Sequence, residues 1–277
     1  MVPRKSTVFY LTAEPPASAH FSVYLKMQVP QGKKIYFLSD FHLGAPDKDA
    51  SLHREKKIVA FLDAIKEDAC MVFVLGDLFD FWFEYRKVVP KGYVRILGKL
   101  AELTDRGTAV HFFVGNHDMW MSGYFESELG IPVFFQEKTY LFNGKKFIIG
   151  HGDGLGPGDH GYKFLKSIFR NPVCQFLFGL IPPYWGLSIA AYFSRRSRMA
   201  TGENDDHFLG EDQEWLIQYC KSALKTTHVD YFIFGHRHFP IEFDLNAASH
   251  YINLGDWIKY NSYAVFDGHQ VTLKYHA

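Results

Sequence analysis

Six short apolar runs, each ending abruptly in residues such as glycine, aspartate, histidine or asparagine, constrain the fold of this chain more than any other feature. Helical patterns separate several of the runs, for example at residues 55–66 and 93–103, so the early part of the chain alternates strand and helix. In such sheets, polar groups placed just past the carboxyl ends of the strands converge on one crevice. We therefore predict an α/β fold with one shared site. The runs cover residues 35–38, 71–75, 110–114, 147–149, 231–234 and 251–254.

The residues that follow these runs are of the types that hold divalent cations. They are Ser39-Asp40-Phe41-His42, Gly76-Asp77, Gly115-Asn116-His117-Asp118, Gly150-His151-Gly152-Asp153, Gly235-His236-Arg237-His238 and Gly255-Asp256. Carboxylate, amide and imidazole groups together suit a pair of metal ions. A lone histidine near a strand end is more often structural, and a lone aspartate before a helix is usually a cap. Six such motifs, each at the end of a predicted strand, are not explained by structural histidines and helix caps.

Two metal ions account for seven of these side chains. Asp40 and His42 lie two residues apart, and on an extended segment both would point to one face and chelate one ion. Two cations about 3.5 to 4 Å apart supply a nucleophile at neutral pH and compensate the charge on phosphoryl oxygens. The sequence therefore predicts a hydrolase acting on a phosphodiester or pyrophosphate. We assign Asp40, His42 and His238 to the first metal, Asn116, His151 and His236 to the second, and Asp77 to the bridge between them.

His117 is the candidate acid of the reaction, because it follows a predicted ligand and belongs to a turn. We expect it to protonate the leaving group or to stabilise the transition state as a cation. Asp80, three residues beyond the bridging Asp77, is the candidate to orient it.

The motifs Asp40-x-His42, Gly76-Asp77-x-x-Asp80, Gly115-Asn116-His117-Asp118, Gly150-His151 and Gly235-His236-x-His238, in this order, resemble the calcineurin-like metallophosphoesterase superfamily over about residues 34–267. The resemblance implies a four-layer α/β/β/α sandwich and the ligand roles given above. It also implies a dinuclear centre of manganese, iron or zinc, and of these we expect manganese. We place the metallophosphoesterase domain at residues 34–277, after an N-terminal extension, residues 1–33, to which no role is assigned.

Residues 157–205 form an insert that leaves the strand pattern. Residues 160–202 contain no acidic residue, and residues 171–194 contain no charged residue. A stretch of that length can span a membrane, but Pro182-Pro183 breaks the helix, and one crossing would separate His151 from His236. We therefore predict a helical hairpin that caps the site.

The insert combines many apolar side chains with basic ones, which suits a lipid with an anionic head group. The alternative is that the apolar residues only dock the cap on the main core. The basic residues are likewise either phosphate clamps or a solvated face. The predicted substrate contacts are Lys163, Lys166, Arg195, Arg196 and Arg198.

A narrower resemblance rests on the run from Ser39 to Gly44, on Gly76-Asp77-Leu78-Phe79-Asp80-Phe81-Trp82, on His151-Gly152-Asp153 and on the basic, apolar insert. These segments resemble the UDP-2,3-diacylglucosamine diphosphatases of lipid A synthesis. The resemblance implies a nucleotide-linked glycolipid substrate, release of UMP and diacylglucosamine 1-phosphate, and a hairpin that holds the acyl chains. It also implies a peripheral location on the cytoplasmic face of the inner membrane. The sequence departs from that family at His117, where its well-studied members carry arginine.

The charge balance argues against nucleic acid as a partner. Lys+Arg and Asp+Glu both number 30, and the basic residues that stand out belong to an apolar insert rather than to a broad basic surface. Three cysteines without CxxC spacing, and an opening segment unlike a signal peptide, suit the cytoplasm.

Two other functions remain open at this stage. One is a phosphodiesterase or nucleotide pyrophosphatase acting on a soluble substrate, with the hairpin as a simple lid. The other is a non-catalytic metal-binding scaffold, which is disfavoured because all seven ligand positions hold competent donors.

Overall fold

The computed structural model describes residues 23–158, 160–201 and 207–277, without the side chains of residue 195 and residues 197–201. The strands are β1 (Val23–Met27), β2 (Lys34–Leu38), β3 (Ala69–Leu75), β4 (Ala109–Phe113), β5 (Val133–Phe134), β6 (Lys138–Phe142), β7 (Lys145–Ile149), β8 (Tyr231–Phe234), β9 (Pro240–Asn246), β10 (Ser249–Leu254), β11 (Ser262–Phe266) and β12 (Val271–Tyr275). The helices are α1 (Lys48–Ile65), α2 (Val94–Asp105), α3 (Tyr124–Leu129), α4 (His160–Phe169), α5 (Pro172–Gly179), α6 (Pro183–Thr201) and α7 (Trp215–Leu224).

These strands form two six-stranded sheets. The first sheet has the order β12-β11-β2-β3-β4-β5, and the second has the order β1-β6-β7-β8-β10-β9. Strands β2, β3 and β4 run parallel to one another, as do β7, β8 and β10. Their carboxyl ends carry all six polar motifs, so each sheet presents three of the motifs at one edge.

Alternation along the strands explains how the sheets stack. On β2, Ile35 and Phe37 enter a core that lies between the two sheets, whereas Tyr36 and Leu38 pack under α1 and α2. On the far side of the second sheet, a third core joins Phe232 and neighbouring residues to α7. The order of layers is therefore helix, sheet, sheet, helix, which confirms the predicted four-layer sandwich.

Strand β1 precedes the domain boundary that the sequence suggested at residue 34. It pairs in parallel with β6 at the edge of the second sheet, and its Leu25 side chain is buried in the core between the sheets. The last described part of the extension, residues 23–33, is therefore built into the sandwich. Residues 1–22 of the extension lie outside the described part of the chain.

The insert contains three helices, α4, α5 and α6, where we expected the two of a hairpin. Asn171 ends the first stretch because its side chain accepts a hydrogen bond from Val173 N, and Pro172 starts α5 at a position where its missing N–H costs nothing. Pro183 opens α6 in the same way. Within residues 23–158, 160–201 and 207–277, no helix combines the length and apolarity needed to cross a bilayer.

Candidate dinuclear metal site

The seven predicted metal ligands lie together at the carboxyl ends of five strands. Asp40 and His42 follow β2, Asp77 follows β3, Asn116 follows β4, His151 follows β7, and His236 and His238 follow β8. Donors from both sheets therefore meet above the edge of the sandwich, as the strand pattern predicted.

Three side chains form the first group of donors. His42 Nε2 lies 3.1 Å from His238 Nε2, and Asp40 Oδ1 lies 3.7 Å from the former and 3.4 Å from the latter. All three groups are close enough to share one cation. This is the trio that we assigned to the first metal.

The second group is centred on the amide of Asn116. Its Oδ1 lies 3.1 Å from His151 Nε2 and 3.1 Å from His236 Nδ1. Asp77 lies between the two groups, because its Oδ2 is 3.6 Å from His42 Nε2 and 3.5 Å from His151 Nε2. This position suits the bridging role.

The donors fit a pair of cations for a physical reason beyond their types. Asp40 Oδ1 is buried and has no hydrogen-bond partner among the described residues, which is costly for a carboxylate unless a cation compensates it. The other oxygen of this carboxylate accepts a bond from His236 N at 3.0 Å, and Asp77 Oδ1 accepts one from His117 N at 2.8 Å. Each aspartate thus uses one oxygen to hold a loop and directs the other to the cluster.

The backbone explains how neighbouring residues can supply ligands to one point. Asp40, His42, Asp77 and His236 have φ of 55°, 44°, 52° and 69°, in the left-handed region that side chains rarely adopt. Asp40 and His42 therefore do not lie on an extended segment, contrary to our expectation, and the turn rather than strand alternation brings them together. Gly76 is required nearby, because a Cβ there would lie 2.6 Å from His151 Nδ1.

Contacts that the proposed ligands make with neighbouring groups fix their orientation and charge. The Nδ1–H of His151 donates to the Leu75 carbonyl at 2.7 Å, which leaves Nε2 free to face the cluster. Burial alone raises the pKa of the Asp77 carboxyl, but the His151 and His117 imidazoles outweigh it and hold that pKa well below its ordinary value. The ionised form that a metal ligand needs is therefore the favoured one.

Asp118 ties together the two loops that carry Asp77 and Asn116. Its carboxylate accepts bonds from Gly115 N at 2.7 Å and from Leu78 N at 2.8 Å. Burial and the nearby Asp77 charge raise the pKa of Asp118 to about 7. Its contacts are to the backbone, so its place in the motif is explained by loop geometry.

His117 lies against the first group of donors, with its ring centroid 4.8 Å from that of His42. Its Nδ1 lies 3.0 Å from the main-chain carbonyl of Asp80, whereas the Asp80 carboxylate is 3.9 Å away. Burial lowers the pKa of His117 to about 4, although the Asp77 carboxylate opposes this. The contact between His117 and Asp80 is thus made through the main chain.

Ser194 is a site residue that the sequence did not reveal. It lies on α6, is buried, and its hydroxyl is 3.0 Å from His117 Nδ1 and 2.9 Å from Asp80 Oδ2. It comes from a different element some eighty residues further along the chain, and no motif marked it. The insert therefore reaches the candidate acid directly.

Asp256 and Trp257 also contribute, from the sixth polar motif, to which we had given no role. Asp256 Oδ2 lies 3.8 Å from His238 Nδ1, and Trp257 N donates to the Asp40 carbonyl at 3.1 Å. The end of β10 thus supports two of the proposed ligands from behind.

The predicted substrate contacts are spread more widely. Lys163 Nζ donates to the Gly156 carbonyl at 2.5 Å, and Lys166 Nζ lies 2.5 Å from the Asp153 carboxylate. Arg196 is exposed. The side chains of Arg195 and Arg198 lie outside the described residues, so their roles stay predictions.

Comparisons with known proteins identify a family of phosphoesterases. Residues 33–240 match the family described as calcineurin-like phosphoesterase. A UDP-2,3-diacylglucosamine hydrolase of Porphyromonas gingivalis (strain ATCC BAA-308 / W83) is 40% identical over 253 residues, which cover 87% of this chain and 97% of that protein. A protein of the same name from Serratia proteamaculans (strain 568) is 29% identical over 228 residues, 80% of this chain and 90% of that protein. The match spans most of the chain and contains all seven proposed ligands. The chain therefore belongs to the calcineurin-like phosphoesterase family and is a metal-dependent hydrolase.

Proposed function

We propose that this enzyme hydrolyses the pyrophosphate bond of UDP-2,3-diacylglucosamine and releases UMP and 2,3-diacylglucosamine 1-phosphate, as a step of lipid A synthesis. The observation that carries the proposal is a phosphoesterase site that directly contacts an insert with a broad exposed apolar surface. The names of the two relatives support the same substrate. The alternative, an enzyme acting on a soluble substrate, does not explain why the insert exposes so many apolar side chains.

The apolar surface belongs to the outer faces of the three insert helices. The exposed fractions of Phe164, Phe176 and Tyr184 are 69%, 66% and 75%. Docking of the insert uses other residues, since Phe178 packs against Phe83 with ring centroids 4.8 Å apart. The exposed side chains are therefore available to a lipid. They are Phe164, Leu165, Ile168, Val173, Phe176, Leu177, Leu180, Tyr184, Trp185, Ile189, Tyr192 and Phe193.

The same surface supports a peripheral association with the cytoplasmic face of the inner membrane. Helices that present aromatic and aliphatic side chains beside lysine and arginine bind at an anionic lipid surface without crossing it. A substrate with two acyl chains resides in such a surface, so the enzyme would meet it there.

The seven donors would hold two divalent ions, which we propose to be manganese. Bound there, the pair supplies charge compensation and a nucleophile at neutral pH. The protein contributes position: the Asp80 carbonyl and the Ser194 hydroxyl hold His117 Nδ1, so the ring is fixed beside the cluster. The negative charge of a bound pyrophosphate opposes the effect of burial on His117 and favours its protonated form. We propose that this form donates a proton to the leaving phosphate oxygen.

The test is release of UMP from detergent-dispersed UDP-2,3-diacylglucosamine by the manganese-loaded enzyme. We expect turnover that Asp77→Asn reduces by about a hundredfold or more, with loss of bound metal. Asp244→Asn is the matched control, because Asp244 is an exposed residue on β9 that contacts His250. Efficient turnover of a soluble dinucleotide with the lipid left untouched would exclude the proposed substrate.

A further inference from the structure

A cavity of about 240 Å³ opens beside His151, and no role has been given to it so far. It lies next to the second group of metal donors, because His151 forms part of its wall. Its other walls come from the end of β4, from the segment after β5 and from α4. A group bound there would lie between the second group of donors and the inner side of α4.

The walls of the cavity combine an aromatic face with hydrogen-bonding groups. Phe135 lines it and is 45% exposed, so its ring is accessible, and the exposed Gln136 offers an amide beside it. Such a pairing suits a planar base, which stacks on an aromatic ring and is read along its edge by hydrogen bonds.

Arg170 supplies the positive charge. Its Nη2 donates to the Phe135 carbonyl at 2.7 Å, and its Nε is buried without a hydrogen-bond partner among the described residues. Lys166 is less available, because it is held by Asp153 at 2.5 Å. Arg170 lines the cavity, and Nη2 uses one of the five N–H groups of the guanidinium, so this side chain can also donate to a hydroxyl oxygen of a ligand.

Helix α4 separates this polar cavity from the apolar surface. Tyr162, Lys166 and Arg170 recur at four-residue spacing and are partly buried toward the domain, whereas Phe164 and Ile168 point outward and are exposed. An amphiphilic substrate needs two different sites on either side of the bond that is cleaved. The cavity has the chemistry of the polar one.

We propose that this cavity binds the nucleoside of the departing nucleotide, with a pyrimidine base against Phe135, its edge on Gln136 and a ribose hydroxyl on Arg170. Its volume of about 240 Å³ is below the roughly 300 to 1,000 Å³ of a pocket for a drug-sized ligand, so it is too small for a diacylated sugar and is better matched to a smaller group such as a nucleoside. The identity of the base rests on the proposed function, whereas the site itself rests on the cavity.

The test is the dissociation constant of UMP for the manganese-loaded enzyme, measured by isothermal titration calorimetry, with inorganic phosphate as the second probe. We expect UMP to bind more tightly than phosphate. We expect Phe135→Ala, Gln136→Ala and Arg170→Ala each to weaken UMP binding about fivefold or more while phosphate binding is unchanged.

Arg106→Ala is the matched control, because Arg106 is an exposed arginine at the end of α2 that pairs with Glu67. Phe135 and Gln136 are exposed, so their variants report binding even if Arg170→Ala lowers the Tm. Equal affinities for UMP and phosphate, or variants that bind UMP as the wild type does, would refute the cavity as the nucleoside site. Cavity-dependent UMP binding by an enzyme that leaves the lipid untouched would keep this site and refute only the proposed substrate.

Discussion

Left-handed backbone at Asp40, His42, Asp77 and His236 concentrates strain at the proposed metal site. Such conformations cost on the order of 1–3 kcal/mol each and persist where the surroundings over-determine them. Here the surroundings are the hydrogen bonds that hold one oxygen of Asp40 and of Asp77 against neighbouring loops. These hydrogen bonds hold the donor atoms in position.

Ser194 gives a prediction at the scale of one hydroxyl. Ser194→Ala removes a contact to His117 Nδ1 and to the Asp80 carboxylate. We expect kcat to fall by about tenfold or more, with metal content and the KM for the lipid close to wild type. Steady-state kinetics and metal analysis measure these quantities.

The control is Ser188→Ala on the same helix, where the hydroxyl bonds to the Tyr184 carbonyl of its own preceding turn. This variant should retain wild-type kcat. A Ser194→Ala enzyme with unchanged kcat would show that the contact has no part in positioning His117.

His111 gives a prediction about pH. It is buried on β4 with Nδ1 3.1 Å from the Tyr140 hydroxyl, and burial lowers its pKa to about 4. Between pH 6.5 and 4 the unfolded chain takes up a proton that the folded chain does not. The contribution of this residue is therefore complete above pH 6.5 and is lost as the pH falls, by up to about 1.4 kcal/mol per pH unit.

The measurement is the free energy of unfolding of wild type and His111→Gln at pH 7 and pH 5.5. We expect the wild type to lose more stability over this interval than the variant does. Equal losses would contradict the prediction.

The metal donors could be predicted because each follows an apolar run, so position in the sequence reports position at the sheet edge. The role of Ser194 could not be predicted, because it depends on which face of α6 is turned to the site. Apolar residues are also exposed on the outer side of this helix, so the apolar pattern does not identify the inner face. The turn at Asp40 and His42 was also missed, since no glycine marks it.

At the scale of elements, α2 begins without help from its own sequence. Tyr93 at its N-cap has a left-handed backbone and makes no capping hydrogen bond with its side chain. Glu55 of α1 replaces the cap, because its Oε1 accepts from Arg95 N at 3.0 Å and from Ile96 N at 3.1 Å. A carboxylate of α1 thus caps the start of α2.

We expect Glu55→Ala to lower the free energy of unfolding by about 1–2 kcal/mol, because two N–H groups at the start of α2, of which that of Ile96 is buried, lose their acceptor. Glu55→Gln retains the Oε1 acceptor and should lose less. Chemical denaturation measures both. The prediction would be wrong if the two variants were equally stable.

Only one of the two helix breaks in the insert could be predicted from the sequence. Its break at Pro182-Pro183 could be predicted from the sequence, because proline disrupts a helix when it falls in the interior. The additional break at Asn171-Pro172 depends on a capping bond that only the folded backbone displays, so the hairpin became three helices.

At the scale of the whole molecule, the four-layer order was implied by the resemblance of the motifs to a known family, and the α/β class followed from the alternation of apolar runs and helical patterns. The place of strand β1 in its sheet could not be predicted, because it depends on pairing with β6, more than a hundred residues away. Pairing partners at that separation leave no local trace in the sequence.

Metal binding should raise the stability of the whole fold. A ligand that binds only the folded chain contributes about 2.7 kcal/mol at one hundred times its Kd, which for a protein of this size corresponds to a Tm increase of several degrees. We expect manganese to produce that increase in wild type and to produce less than half of it in Asp77→Asn. Differential scanning calorimetry checks this, and equal increases would contradict the role of Asp77.

Each proposed ion takes donors from both sheets: Asp40 and His42 with His238 for one, and Asn116 with His151 and His236 for the other. The cluster consequently cross-links the sandwich across its central seam, and any sliding of one sheet over the other changes the separation of the donors. The relative position of the two sheets therefore sets the distance between the donors, and with it the space in which a phosphoryl group can bind. A substitution in the core between the sheets, far from any substrate, can thus alter catalysis by changing the separation of the donors.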